Sequence, residues 1–84
     1  MPRYLILTVR KPTFNESVLP DHFTFLDGLR GRGKVELSGG FTDKTGGAYV
    51  LLAENQEEAE AIAFADPIHV TNSSSVSVHE WNAR

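Results

Sequence analysis

KVELSGGFTDKTGGAYVLLAE, residues 34–54, is the stretch whose reading decides the fold. Val35, Leu37 and Phe41 alternate with Glu36 and Ser38, TDKTGG supplies turn residues, and AYVLLAE follows as an apolar run, so the stretch predicts a two-stranded hairpin. The flanking segments carry a helical period instead. Upstream, LPDHFTFLDGLRGRGK (19–34) puts Pro20 at a first helical position with Asp21 in the positive first turn. His22, Phe25, Leu26 and Leu29 recur there at i, i+3, i+4 and i+7, and Gly31 or Gly33 suits the left-handed residue that ends such a helix. Downstream, Asn55 followed three positions later by Glu58 is a capping-box variant. It opens a second helix whose inward stripe reads Ala59, Ile62, Ala63 and Asp66. At the two ends, YLILTV (4–9) and SSSVSVHEW (73–81) read as strands, the first stopping at Lys11-Pro12. The order βαββαβ predicts an α+β, ferredoxin-like domain over 1–84: a four-stranded antiparallel sheet with both helices on one face.

Composition narrows the class. An isolated chain of this length buries only a little over ~60% of the surface it exposes when unfolded, so association would relieve a deficit. Tyr4, Ile6 and Thr8 alternate with Leu5, Leu7 and Val9, which makes the first strand largely apolar on both sides. A homodimer with its sheets face to face is therefore expected. A net charge of −3 does not suit a nucleic-acid or anionic-membrane partner, which leaves small molecules. Arg30, Arg32 and Lys34 are a short basic run better explained as cations at the negative end of the first helix. There is no cysteine, hence no disulfide, thiol nucleophile or thiolate metal site. YLILTV is too short for a signal-peptide core or a membrane span, so a soluble cytoplasmic protein is the expectation.

Two ionisable side chains fall on inward stripes of different helices. FADPIHV (64–70) is expected to close the second helix with Asp66, because Pro67 disfavours helical geometry at the residue before it. A carboxylate at that negative helix end typically costs about 0.3–1 kcal/mol. A partner across the helix pair would offset this. His22 is that partner: burying either group alone is costly, and pairing removes the penalty while fixing the imidazole tautomer. Such a pair is the arrangement of a general acid/base, although a purely structural buried pair uses the same residues.

Ser38 and Gly39 stand at the end of the second strand, where glycines permit close backbone approach and the hydroxyl can reach a substrate. His69, three residues after Asp66, is a further candidate for the same pocket. Together with His22 and Asp66 it would make a two-histidine, one-carboxylate set. A histidine in a post-helix turn is ordinarily solvated, however, and no metal is expected. Gly46 and Gly47 do not spell a phosphate loop, and no dinucleotide fingerprint is present. Without a cofactor, proton abstraction followed by rearrangement or elimination is the chemistry this inventory performs.

Tyr4-Leu5-Ile6-Leu7, His22-Phe23, Gly33-Lys34, Leu37-Ser38-Gly39-Gly40-Phe41, Glu57-Glu58-Ala59 and Ala65-Asp66-Pro67 together resemble the YciI-like (YCII-related) family of the dimeric α+β barrel superfamily. The resemblance spans nearly the whole chain. It implies a dimer with an active-site dyad, carried here by His22 and Asp66, and small-molecule chemistry akin to muconolactone isomerases and dehalogenating lyases that act on rings. The expected function is thus a lyase or isomerase. The competing reading is a ligand-binding or dimerisation module that keeps the pair for packing. A haem-dependent oxygenase on the same fold would have to draw its axial ligand from His69 or His79.

Overall fold

The turn that releases the hairpin is built from Leu29 to Lys34. In a computed structural model that describes all 84 residues, Gly33 adopts φ 72°, a left-handed conformation that glycine takes without penalty. Its N–H donates to the Arg30 carbonyl at 3.0 Å and the next N–H, of Lys34, donates to Leu29 at 2.9 Å. That pair of bonds is the Schellman closure of a helix, and it ends α1 (Leu19–Gly31). The remaining elements are β1 (Arg3–Arg10), β2 (Val35–Gly40), β3 (Gly46–Leu52), α2 (Gln56–Ala63), α3 (Pro67–Val70) and β4 (Ser74–Glu80), with a single 3₁₀ turn at Glu16–Val18 before α1. The sheet order is β2-β3-β1-β4 and every neighbouring pair is antiparallel. This is the four-stranded α+β, ferredoxin-like arrangement, with helices packed on one face of the sheet.

The core follows the pleat. Tyr4 and Ile6 of β1, with Tyr49 and Leu51 of β3, point to the helix side and meet Leu26, Leu29, Ala59 and Ala63. Fully burying an aliphatic side chain such as Leu29 stabilises by about 1.5–3 kcal/mol, so these contacts fix which sheet face the helices cover. Asn55 caps α2 as expected, its side chain accepting the Glu58 N–H at 2.8 Å, while the Glu58 carboxylate accepts the Glu54 N–H at 3.3 Å.

Two local expectations are corrected. Val35, Leu37 and Phe41 do not share a face: Val35 is buried, whereas Leu37 is 70% and Phe41 42% exposed. The reason is a register shift between Val35 and Leu37, where Glu36 is the extra residue of a β-bulge. Past the bulge the alternation is inverted, so Leu37 pairs with Val50 on the open face and Ser38 pairs with Tyr49 on the helix face. Asp66, in turn, does not close the second helix. α2 ends at Ala63, and Asp66 has φ −60° and ψ 132°, the extended geometry that a following proline imposes. It is the N-cap of α3, accepting the Ile68 N–H at 3.0 Å, with Pro67 in the first turn. The supposed electrostatic penalty is therefore absent, and Asp66 sits at a favourable helix position.

The helix-free face carries Leu5, Leu7 and Val9 from β1 beside Val50, Ala48 and Leu37. Leu37, Val9 at 51% and Trp81 at 45% are exposed apolar side chains.

Candidate active site

The site lies between α1 and the hairpin end of the sheet. There the helix-facing row of the sheet runs Gly40, Gly47 and Thr8, with two glycines where the neighbouring row presents Ser38, Tyr49 and Ile6. The missing side chains leave a cavity of about 270 Å³ beneath α1. Glycine is required at this corner. A Cβ on Gly47 would stand 2.5 Å from the Gly39 carbonyl oxygen, and one on Gly46 only 1.8 Å from that of Thr8. The Thr8 hydroxyl seals the floor by donating to the Gly47 carbonyl at 3.2 Å and accepting its N–H at 3.0 Å.

His22, in the first turn of α1, borders this cavity with 13% of its side chain exposed, and Asp66 is buried completely behind it. The ring Nδ1–H donates to the carboxylate, with Nδ1 at 2.9 Å from Oδ1 and 2.8 Å from Oδ2. Oδ1 also accepts the Ile68 N–H, so the carboxylate is held by the α3 cap on one side and the imidazole on the other. With Nδ1 committed, Nε2 makes no hydrogen bond within the protein. That is the atom free to exchange a proton with a molecule in the cavity.

Tyr49 forms part of the wall. Its hydroxyl is buried with no hydrogen-bond partner, and burial, reinforced by the Asp66 carboxylate, pushes its ionisation well above the usual tyrosine range. Ser38 and Gly39 line the same cavity, Ser38 having been turned towards it by the Glu36 bulge. The Ser38 hydroxyl accepts from the Arg30 guanidinium at 2.5 Å, which ties the last turn of α1 to β2. His69 is elsewhere. Its ring stacks on Phe64 at 4.6 Å between centroids, its Nδ1–H donates to the Phe64 carbonyl at 3.0 Å, and it does not line the cavity. The expectation that His69 joins the pocket is thus corrected: the α3 turn that presents Asp66 inward leaves His69 on the exposed side.

Two cationic wall residues escaped the sequence reading. Arg30 reads from its position only as a helix-end cation, yet His22, Leu26 and Arg30 at i, i+4 and i+8 run along one edge of α1, a spacing that marks it as a wall residue. Arg10, at the end of β1, also lines the cavity, with its guanidinium carbon 4.1 Å from the centre of the Phe14 ring. Nothing local marks Arg10, because only the sheet topology brings it beside α1.

The sequence matches the YCII-related domain over residues 2–82. The chain belongs to the YCII-related family. Among similar proteins, "Uncharacterized protein YjpA" of Bacillus subtilis (strain 168) is 40% identical over 84 residues, covering 100% of this chain and 99% of that one. Among solved structures, the 5-chloro-2-hydroxyhydroquinone dehydrochlorinase TftG of Burkholderia phenoliruptrix AC1100, in complex with 2,5-dihydroxybenzoquinone, superposes with a TM-score of 0.74. The alignment covers 98% of this chain and 95% of TftG at 19% identity, a likeness of fold. No helix of this YCII-related domain is long and apolar enough to cross a membrane.

Proposed function

We propose that the protein is a small-molecule lyase or isomerase in which His22 transfers the proton and Asp66 orients and supports it. The observation that carries this reading is an imidazole anchored through Nδ1 by a fully buried carboxylate, with Nε2 unpartnered at the wall of a cavity. In the reaction, the Nε2 lone pair accepts a proton from an acidic C–H of the substrate, and the C–H bonding electrons pass into the adjoining unsaturated system. The resulting imidazolium is held by the Asp66 carboxylate. The proton then returns to a different carbon, giving isomerisation, or a leaving group departs with its bonding pair, giving elimination. Ser38 and the Gly39 backbone border the place where the substrate framework would sit. The dehydrochlorinase activity named for TftG, on the same fold, supports the elimination branch.

The active form in this reading is a homodimer joined through the helix-free sheet face, where Leu37, Val9 and Trp81 are exposed. Mass-resolved chromatography at micromolar concentration should give twice the chain mass, and a monomer would remove the dimer. The chemical reading is tested by a turnover screen of chlorinated hydroxyhydroquinones and unsaturated lactones, followed by chloride release and ultraviolet spectra. Wild-type protein should convert at least one compound class, and His22→Asn should lose that conversion while remaining folded by its amide spectrum. Conversion that survives His22→Asn overturns the assignment. Binding without any conversion would favour a ligand-binding module.

A further inference from the structure

We propose that the cavity selects a small cyclic organic acid in its monoanionic form, with Arg10 as the residue that holds the acid group. The proposal deepens the reading of the same site and rests on it for the identity of the pocket as the substrate's place.

The charges around the cavity do not balance. Arg30 is occupied, donating to Ser38 and lying 3.7 Å from the Asp27 carboxylate. His22 faces Asp66. Arg10 is the remaining charge, since no carboxylate lies within 4.0 Å of it and its guanidinium makes no side-chain hydrogen bond to the protein. Its guanidinium lies over the face of the Phe14 ring. Stacking of that kind fixes the plane of a guanidinium and leaves its edge free, and the edge carries all five N–H donors in a fork that matches a carboxylate. A half-buried guanidinium kept flat and unpaired beside a cavity is a donor set lacking its acceptor.

The placement also suits one molecule bridging Arg10 and His22. The helix-facing positions of β1 run Tyr4, Ile6, Thr8 and Arg10, so Arg10 stands at the end of the row whose Thr8 forms the cavity floor. A substrate lying over Gly40, Gly47 and Thr8 has Arg10 at one end and His22 above it. Phe14, Leu19 and Phe23 give that space apolar walls suited to a ring rather than a polar chain. The 270 Å³ volume is below the roughly 300–1,000 Å³ usual for drug-sized ligands, which limits the occupant to a small molecule of one ring. With one uncompensated positive charge, a single negative charge completes the site.

Paired probes separate charge from shape: 2,5-dihydroxybenzoate and its neutral isostere 2,5-dihydroxybenzamide. Titrated into the full-length protein and followed by amide chemical shifts, the acid should bind at least about tenfold more tightly than the amide, as expected for charge-assisted bonds. Arg10→Gln should abolish that preference and Arg10→Lys should retain part of it. Gly40→Val, built on a glycine whose Cβ meets no atom nearer than 3.8 Å, should project into the cavity and block both probes without unfolding the protein. His22→Asn should keep the preference for the acid, so loss of turnover in that variant and loss of anion selection in Arg10→Gln are separate outcomes. Equal affinity for acid and amide, a preference that survives Arg10→Gln, or no binding of either probe at millimolar concentration overturns the proposal.

Discussion

Replacing Asp66 by alanine removes two bonds made by one buried carboxylate, and its cost follows from them. Loss of the cap on the Ile68 N–H at 3.0 Å is worth about 0.5–2 kcal/mol. Loss of the charge-assisted bond from His22 Nδ1 at 2.8 Å is worth about 1.5–3 kcal/mol. Because both bonds share one side chain, their sum is an upper bound, which places Asp66→Ala at about 2–5 kcal/mol. That is a large part of the roughly 4–13 kcal/mol available to a chain of 84 residues. Asp66→Asn keeps Oδ1, which accepts the Ile68 N–H and lies 2.9 Å from His22 Nδ1, but replaces Oδ2 with an NH₂ group and removes the charge, so it should cost about 1–2 kcal/mol. The assay is equilibrium urea unfolding of the three proteins at one fixed concentration, since association would make the midpoint concentration-dependent. An Asp66→Ala cost below about 1 kcal/mol, or equal costs for alanine and asparagine, would refute the assignment of Asp66 as both cap and histidine anchor.

Tyr49→Phe should be neutral or stabilising by up to about 1 kcal/mol in urea unfolding, because it deletes a buried hydroxyl that has no partner; a clear loss would reveal one. Gly46→Ala should destabilise by about 1–3 kcal/mol or more, since its Cβ meets the Thr8 carbonyl, whereas Gly39→Ala meets nothing within 4 Å and should stay within about 0.5 kcal/mol in a thermal melt. The chain has two tyrosines, Tyr4 and Tyr49, and burial raises the ionisation of both in the folded state. Their contribution is therefore full below the unfolded value of about 10 and is lost as pH rises above it. A spectrophotometric titration should show tyrosinate absorbance appearing at higher pH in the native protein than in urea, and coincident native and urea titrations would contradict the burial argument.

The hairpin, the capped second helix and the glycine closure of the first were legible because each rests on local backbone chemistry: Gly33 at positive φ and Asn55 with Glu58 carry their own signatures. The inward positions of His22 and Asp66 were also legible from spacing. The role of Asp66 as a cap was not, because Pro67 both ends one helix and begins the next, and periodicity alone ran the two together. The Glu36 bulge was hidden for a similar reason. An inserted residue leaves the alternation of VELS intact while inverting its faces, and it decides that Ser38 rather than Leu37 reaches the cavity. Arg10 was invisible because its meaning depends on β1 lying centrally in the sheet, next to the hairpin strand and beneath α1.

The central claim, that Nε2 of His22 moves a proton to and from carbon, is tested most directly by hydrogen–deuterium exchange at carbon. Cyclic hydroxyquinones and enolisable keto acids would be incubated in D₂O with wild-type protein or His22→Asn, and loss of the acidic C–H signal followed by proton NMR. This readout needs no knowledge of the net reaction. Exchange into at least one compound class is expected at a rate about 10²–10⁴ times that of His22→Asn, the range for a positioned general base. Exchange no faster than in buffer alone for every compound, or the same rate in wild type and His22→Asn, would contradict it.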